Sequence, residues 1–392
     1  MELEAPLLSG RWAPLKGVRI VDFSAQLPGP LATSVFADLG ADVIKVEPPG
    51  GEYGRSIPGG MFRRVNRGKA SLVLNLKAPC SSRVVSRLVE TADIVVESFR
   101  PGVAARLGID YTSLSAIKPD LIYCSLSGYG QTGPWAKRPG HDLAYLAEAG
   151  AMSLPGAWNN RPRRSGLATG DLAGAMVAAI SLVAALRDRD RNGNGCYLDL
   201  SLYEAAVYFT ATRTSFDVDE VSRSHLIPTN DIFLTSDEKA LALTIVEDHF
   251  WTAFVEEIKT IEPELAAPEL KTAAGRLREG DRIHALLAQM FRQLTAREWL
   301  SRLEDKDVPI ALCLTPFEAG RTEQLEARRL LAKGDAGELF CGFPAMLFDG
   351  SRAGSTTSSA PAPGADQEQI LAELGLTSDE IEDLLREAML NK

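Results

Sequence analysis

The sequence predicts an α/β fold: a large domain built on a parallel sheet, followed by a smaller α+β domain. Three observations carry this. Near the start, a strand, a helix and a second strand follow one another within about thirty residues, which is a βαβ unit. Further short apolar runs then alternate with helical stretches as far as residue 200. Beyond residue 215 the composition turns polar, and a hairpin pattern and a long amphipathic helical stretch come after it.

Each element has its own signal. Residues 18–23 are a β-branched run that reads as a buried strand. Pro28-Gly29-Pro30 opens a helical pattern over 31–39, and Gly40 closes it. Asp42–Glu47 is a second strand, stopped by Pro48-Pro49-Gly50-Gly51. No G-x-G-x-x-G follows the first strand, so the sequence does not support a dinucleotide site there. Residues 63–69 are basic and lead into a strand at 71–77, which makes them either a candidate phosphate-binding surface or a solvated loop. A helix at Ser81–Thr91 precedes the strand 93–97, and Arg100 lies just past its carboxyl edge, where open sheets bind ligands. A strand at 121–126 runs into the glycine-rich loop 127–134. Residues 196–200 form another strand, and 202–212 a helix. Residues 216–229 read as a linker, 231–234 and 240–245 as a hairpin, 249–303 as amphipathic helices and 308–314 as a strand. Pro316 starts a helix, 351–365 is a Ser/Thr/Ala/Pro/Gly linker, and Ser378 is placed as the N-cap of a closing acidic helix.

Composition narrows the function. The chain has 392 residues, a net charge of −10 and 45% hydrophobic residues, which suits an ordinary globular protein and argues against a nucleic-acid or anionic-membrane surface. Five scattered cysteines and four histidines, without C-x-x-C or H-E-x-x-H spacing, suggest a reducing compartment and no metal site. The first residues lack a basic segment followed by an apolar one, and no apolar run is expected to span a bilayer, so a cytoplasmic location is expected.

The candidate chemistry lies between residues 140 and 175. Gly140-His141-Asp142 and Gly170-Asp171 each place a proton-transferring side chain behind a glycine, at the entrance of an apolar, small-residue helix. Taken singly, Asp171 reads as an N-cap and His141 as a loop histidine. Together they suit proton removal beside a carbonyl, with free N–H groups to hold an enolate.

The motifs at 15–22, 37–47, 97–102, 127–134 and 361–364 resemble the class III CoA-transferase family, which includes formyl-CoA transferase, carnitine CoA-transferase and α-methylacyl-CoA racemase. The resemblance covers nearly the whole chain. It implies a Rossmann-like large domain (1–215, CoA-binding), a small α+β domain (216–330), and a linker with a C-terminal segment returning to the large domain (331–392). It also implies the family III CoA-transferase fold as an interlocked homodimer acting on an acyl-CoA thioester, with coenzyme A as part of the substrate and no other cofactor.

Within the family, Asp171 matches the aspartate that transferases use to form an acyl anhydride. Gly140-His141-Asp142-Leu143-Ala144-Tyr145 is similar to the racemase motif, and Glu247 matches a racemase glutamate that contacts the histidine. The resemblance thus implies catalysis by His141, Asp171 and Glu247, with Leu74, Asn75, Leu76, Lys77, Arg100, Gly140, Asp142 and Tyr145 binding the acyl-CoA. It favours a racemase of 2-methyl-branched acyl-CoA thioesters, with a CoA-transferase as the alternative. Leu167, Pro48 and Glu238 replace the asparagine, arginine and glycine usual in racemases, and residues 333–351 match poorly.

Overall fold

Short β-branched strands form the core of the large unit because both faces of its sheet are covered. The structure is a computed structural model that describes residues 12–158, 164–217, 226–303, 305–334, 337, 339–345, 347, 353, 359–377 and 379–382. Its strands are β1 (Arg19–Asp22), β2 (Asp42–Glu47), β3 (Ala70–Val73), β4 (Ile94–Glu97), β5 (Ile122–Ser127) and β6 (Cys196–Ser201). They pair in parallel in the order β3-β2-β1-β4-β5-β6. Successive side chains on each strand enter opposite cores. Ile20, Val43, Ile94 and Ile122 join one core, while Val21, Ile44, Val95 and Tyr123 join the other.

Helices cover the two faces. The first core is closed by α1 (Pro28–Asp38) and, later in the chain, by Ala175, Ala178 and Leu182 of the helix Thr169–Asn192. The second is closed by α2 (Ser81–Thr91), whose Val84, Val85 and Leu88 are buried, and by Ile370 and Leu371 of helix Gln367–Glu373. In chain order after α2 come α3 (Asp142–Glu148), α4 (Thr169–Asn192) and α5 (Leu202–Thr210).

Several boundaries differ from those the sequence predicts. Helix α1 begins at Pro28 rather than Leu31, because its first-turn N–H groups have no intrahelical partner and proline there costs nothing. Strand β3 ends at Val73, and Asn75 then turns the chain, its Oδ1 accepting from Lys77 N at 3.1 Å. Helix α4 is long and apolar enough to cross a bilayer by length and composition, contrary to the sequence expectation, but its small residues pack into the first core.

The chain forms two compact units. The first takes the described residues of Met1–Ala149, Ser165–Thr210 and Glu323–Lys392; the second takes those of Gly150–Arg164 and Ala211–Thr322. The sequence assigns 150–164 to the large domain, whereas the structure groups the described residues among them, 150–158 and 164, with the second unit. The reason is Trp158: its backbone N–H donates to Asp231 Oδ2 at 2.8 Å and its indole N–H to Asp281 Oδ1 at 2.7 Å. The second unit holds an antiparallel sheet of β7 (Asn230–Leu234), β8 (Ala240–Thr244) and β9 (Ile310–Leu312). Helices α6 (Asp248–Ile258), α7 (Gly280–Phe291) and α8 (Ala296–Leu303) share its core through Trp251, Phe254, Leu287, Phe291 and Trp299.

The C-terminal span is tied to the first unit at β3. Asp366 Oδ2 accepts from Ser71 N at 2.8 Å, and Gly364 N donates to Ser71 Oγ at 2.9 Å. Residues 351, 352 and 354–358 of the predicted linker lie outside the described residues, as do 218–225 of the earlier linker and Ser378. Thr377 is described and makes a reciprocal capping pair, its N–H donating to Glu380 Oε2 at 2.8 Å and its Oγ1 accepting from Glu380 N at 3.4 Å.

Candidate active site

Strand order reverses between β1 and β4, so the chain leaves these neighbours in opposite directions and opens a crevice at their carboxyl ends. The two loops are held together by the Ala25 N–H, which donates to Ser98 Oγ at 2.9 Å. A cleft of about 260 Å³ lies there. Its walls include Gln26, Arg100, Ser127, Arg138, His141 and Asp171. The structure therefore brings together the two proton-transferring groups singled out in the sequence.

They arrive by different routes. His141 occupies the N-cap position of α3 with extended backbone, but its side chain caps nothing and is exposed. Its carbonyl accepts from Ala144 N at 2.8 Å. Asp171 is not an N-cap. Helix α4 starts two residues earlier, at Thr169, so Asp171 is its third residue. The cap comes from another helix: Asp142 Oδ1 accepts from Gly170 N at 2.8 Å and from Asp171 N at 3.2 Å. Asp142 is thus buried against the start of α4 and does not line the cleft. Gly170 allows this close fit, since a Cβ there would meet Asp142 Oδ1 at 3.1 Å.

Asp171 is half-buried, and its carboxyl is pushed up to about 6, first by burial and then by the charge of Asp142. A helix N-terminus favours the ionised form, but here desolvation and the second carboxylate outweigh it.

Gly140 and Tyr145 shape the wall beside His141. The Tyr145 hydroxyl donates to Gly140 O at 2.6 Å. Its ring stands edge-on to Tyr129, centroids 5.2 Å apart, and burial pushes its hydroxyl pKa upward. Arg138 is fixed over the Trp135 ring at 5.2 Å and paired with Glu148 at 2.6 Å.

The remaining predicted residues divide. Arg100 lines this cleft and is exposed. Leu74, Asn75, Leu76 and Lys77 line a second cavity, also about 260 Å³, which shares Ala25 and Phe99 with the first. Glu247 belongs to the second unit, where it precedes α6, is exposed and makes no capping bond.

The basic run at 63–69, read in the sequence as a phosphate surface or a solvated loop, is half committed to buried ion pairs. Arg67 is buried and bidentate to Asp38 at 2.8 and 2.6 Å. Lys69 is buried on Asp22 Oδ2 at 3.0 Å and Asn66 Oδ1 at 2.8 Å. Only Arg63 and Arg64 of that run's four basic residues are exposed.

Gln26, Ser127 and Arg138 are cleft residues absent from the sequence-based set. Gln26 and Ser127 were findable in principle, since each stands at the carboxyl end of a strand. Gln26 also has positive φ, +67°, which its neighbours in sequence do not announce.

The likenesses to known proteins agree with this fold. The family model described as CoA-transferase family III matches residues 15–367. The chain is 33% identical to acetyl-CoA:oxalate CoA-transferase from Acetobacter aceti over 85% of this chain and 89% of that one. It is 29% identical to human alpha-methylacyl-CoA racemase over 94% and 96%. Among solved structures it is similar to a hypothetical protein, Rv3272, from Mycobacterium tuberculosis, with 30% identity, a TM-score of 0.80 and 92% and 100% of the chains covered. With a six-stranded parallel sheet, a cleft at its switch point and a family match along most of its length, the chain belongs to CoA-transferase family III and is an enzyme of that group.

Proposed function

We propose that the protein is a racemase acting on the α-carbon of 2-methyl-branched acyl-CoA thioesters. The observation that supports this best is the presence of His141 and Asp171 on the walls of one cleft, at the entrances of two helices. Inversion at a carbon acid needs one group to take the proton and another to return one to the opposite face. A carboxyl pushed up to about 6 is mostly ionised at pH 7, yet holds a transferred proton at little cost. Imidazole is the side-chain type suited to the partner role near neutral pH. The substrate proton passes to one group, the thioester becomes an enolate, and the other group protonates the far face. This chemistry draws on no redox group.

The decisive measurement is proton NMR of a single enantiomer of a 2-methylacyl-CoA in deuterated water. Loss of the α-proton signal together with formation of the opposite enantiomer is expected. A fully retained α-proton under saturating enzyme rejects the racemase.

A second reading rests on the same carboxylate and on relatives such as acetyl-CoA:oxalate CoA-transferase. In that reading Asp171 attacks the thioester, forms an acyl anhydride and releases CoA thiolate. Transfer of CoA from a labelled acyl-CoA to a free carboxylic acid would identify it.

Leu74–Lys77 and Arg100 are proposed to hold the coenzyme A portion, supported by two adjoining cavities that share Ala25 and Phe99. Arg100→Ala is expected to weaken acyl-CoA binding and to make the remaining affinity less dependent on salt. An interlocked homodimer is proposed as well. Tagged and untagged protein mixed under native conditions should then form no mixed dimer over hours.

A further inference from the structure

Serines stand at the carboxyl end of the sheet beside the cleft. Three of them have partners: Ser98 Oγ accepts from Ala25 N at 2.9 Å, Ser125 Oγ accepts from Gln131 Nε2 at 2.7 Å, and Ser201 Oγ donates to Gly128 O at 3.4 Å. Ser127, the last residue of β5, differs. It is only 6% exposed, and its hydroxyl has no hydrogen-bond partner among the described residues. It lines the same cleft as His141 and Asp171.

A buried hydroxyl without a partner is costly, and native proteins nearly always satisfy such groups. An incoming ligand oxygen is the partner this position suits. We infer that the Ser127 hydroxyl donates a hydrogen bond to the carbonyl oxygen of the bound acyl-CoA thioester. This goes beyond the two-base reading, since a racemase and a transferase would both gain from a donor on that oxygen as its negative charge grows.

The test compares two probes that differ only at the carbonyl: 2-methylpropanoyl-CoA and its thioether analogue, in which the C=O is a CH2. Neither has a stereocentre at the α-carbon, so the result does not depend on racemisation. Affinities are measured by calorimetry for the parent, Ser127→Ala and Ser127→Thr. Ser127→Ala is expected to weaken the thioester by about three- to tenfold and the thioether by less than about twofold. Ser127→Thr keeps the hydroxyl and should recover most of the difference. Equal losses for both probes, or no loss for either, overturn the inference. Circular-dichroism melting of each variant identifies any loss that comes from misfolding, and in that event Ser127→Thr alone decides by retaining the parent's discrimination. The α-proton exchange experiment on the parent stands apart, so the racemase reading and the role of Ser127 can fail separately.

Discussion

At the scale of single residues, Asp171 carries the most information. Its native carboxyl titrates at about 6 against 3.8 for an ordinary aspartate, so between those values the folded state holds a proton that the unfolded state has released. Stability from this group is complete below about pH 4 and is lost as pH rises through about 6. Asp171→Asn removes the penalty and should raise stability at pH 7 by roughly 2–3 kcal/mol, an effect that vanishes at pH 4. Thermal unfolding at the two pH values checks this; equal shifts at both would contradict it. The catalytic expectation is separate. His141→Ala and Asp171→Asn should each lose racemisation by about two to four powers of ten. Each can retain solvent exchange of one enantiomer, opposite for the two variants. A His141→Ala variant that racemises at the parent rate would remove His141 from the two-base pair.

At the scale of elements, the site depends on how α3 and α4 meet. Asp142 leaves α3 to cap the first turn of α4, which ties the residue after His141 to the backbone of Asp171. Asp142→Ala frees two N–H groups in a buried place and should cost about 1–3 kcal/mol in chemical denaturation. Asp142→Asn keeps an acceptor but removes the charge. It should move the acid limb of the pH–rate profile to lower pH, because one of the two causes that raise Asp171 is gone. An unmoved acid limb would show that burial alone sets it. The wall beside His141 depends on glycine. A Cβ at Gly128 would lie 2.6 Å from the Tyr145 hydroxyl, and one at Gly140 would lie 2.6 Å from its ring. Gly128→Ala should therefore displace Tyr145 and cost about 1–3 kcal/mol together with activity.

At the scale of the large unit, a buried charge network underlies the cleft. Asp22 is fully buried, which by itself would raise its carboxyl. Lys69, Lys45 and the hydroxyls of Ser24 and Thr33 outweigh burial and hold it well below the usual carboxylate range. The Lys69 ammonium bonds Asp22, Pro30 O at 2.9 Å, Thr33 Oγ1 at 2.8 Å and Asn66, and so joins β1, α1 and the start of β3. The Asp22 carboxylate also accepts from Ser24 N at 2.9 Å, which steers the chain into the Ala25-Gln26 wall. Lys69→Met leaves Asp22 buried without its closest cation and should cost about 3–5 kcal/mol in urea unfolding. Exposed Lys77, changed to Ala, should stay within about 0.5 kcal/mol.

The parallel sheet was legible in the sequence because strands buried on both faces carry apolar residues at successive positions. Ile20-Val21, Val43-Ile44 and Ile94-Val95 state that without any knowledge of their neighbours. His141 and Asp171 were legible because a glycine before a titratable residue at a helix entrance is a local pattern. Their meeting in one cleft was not, since it depends on the strand order that sets β1 beside β4. Arg67 and Lys69 were misjudged for a similar reason. A run of positive charge looks solvated unless Asp38 and Asp22, about thirty and about fifty residues earlier, are known to be folded against it. Taken singly, Asp171 reads as a cap because the true cap, Asp142, lies far away in sequence. Periodicity and composition act between near neighbours, so they determined most of the elements and singled out His141 and Asp171, while Glu247 and Leu74–Lys77 came from the family resemblance alone. Burial, pairing and the raised Asp171 carboxyl depend on groups the fold alone brings together, and only the tertiary structure decided them.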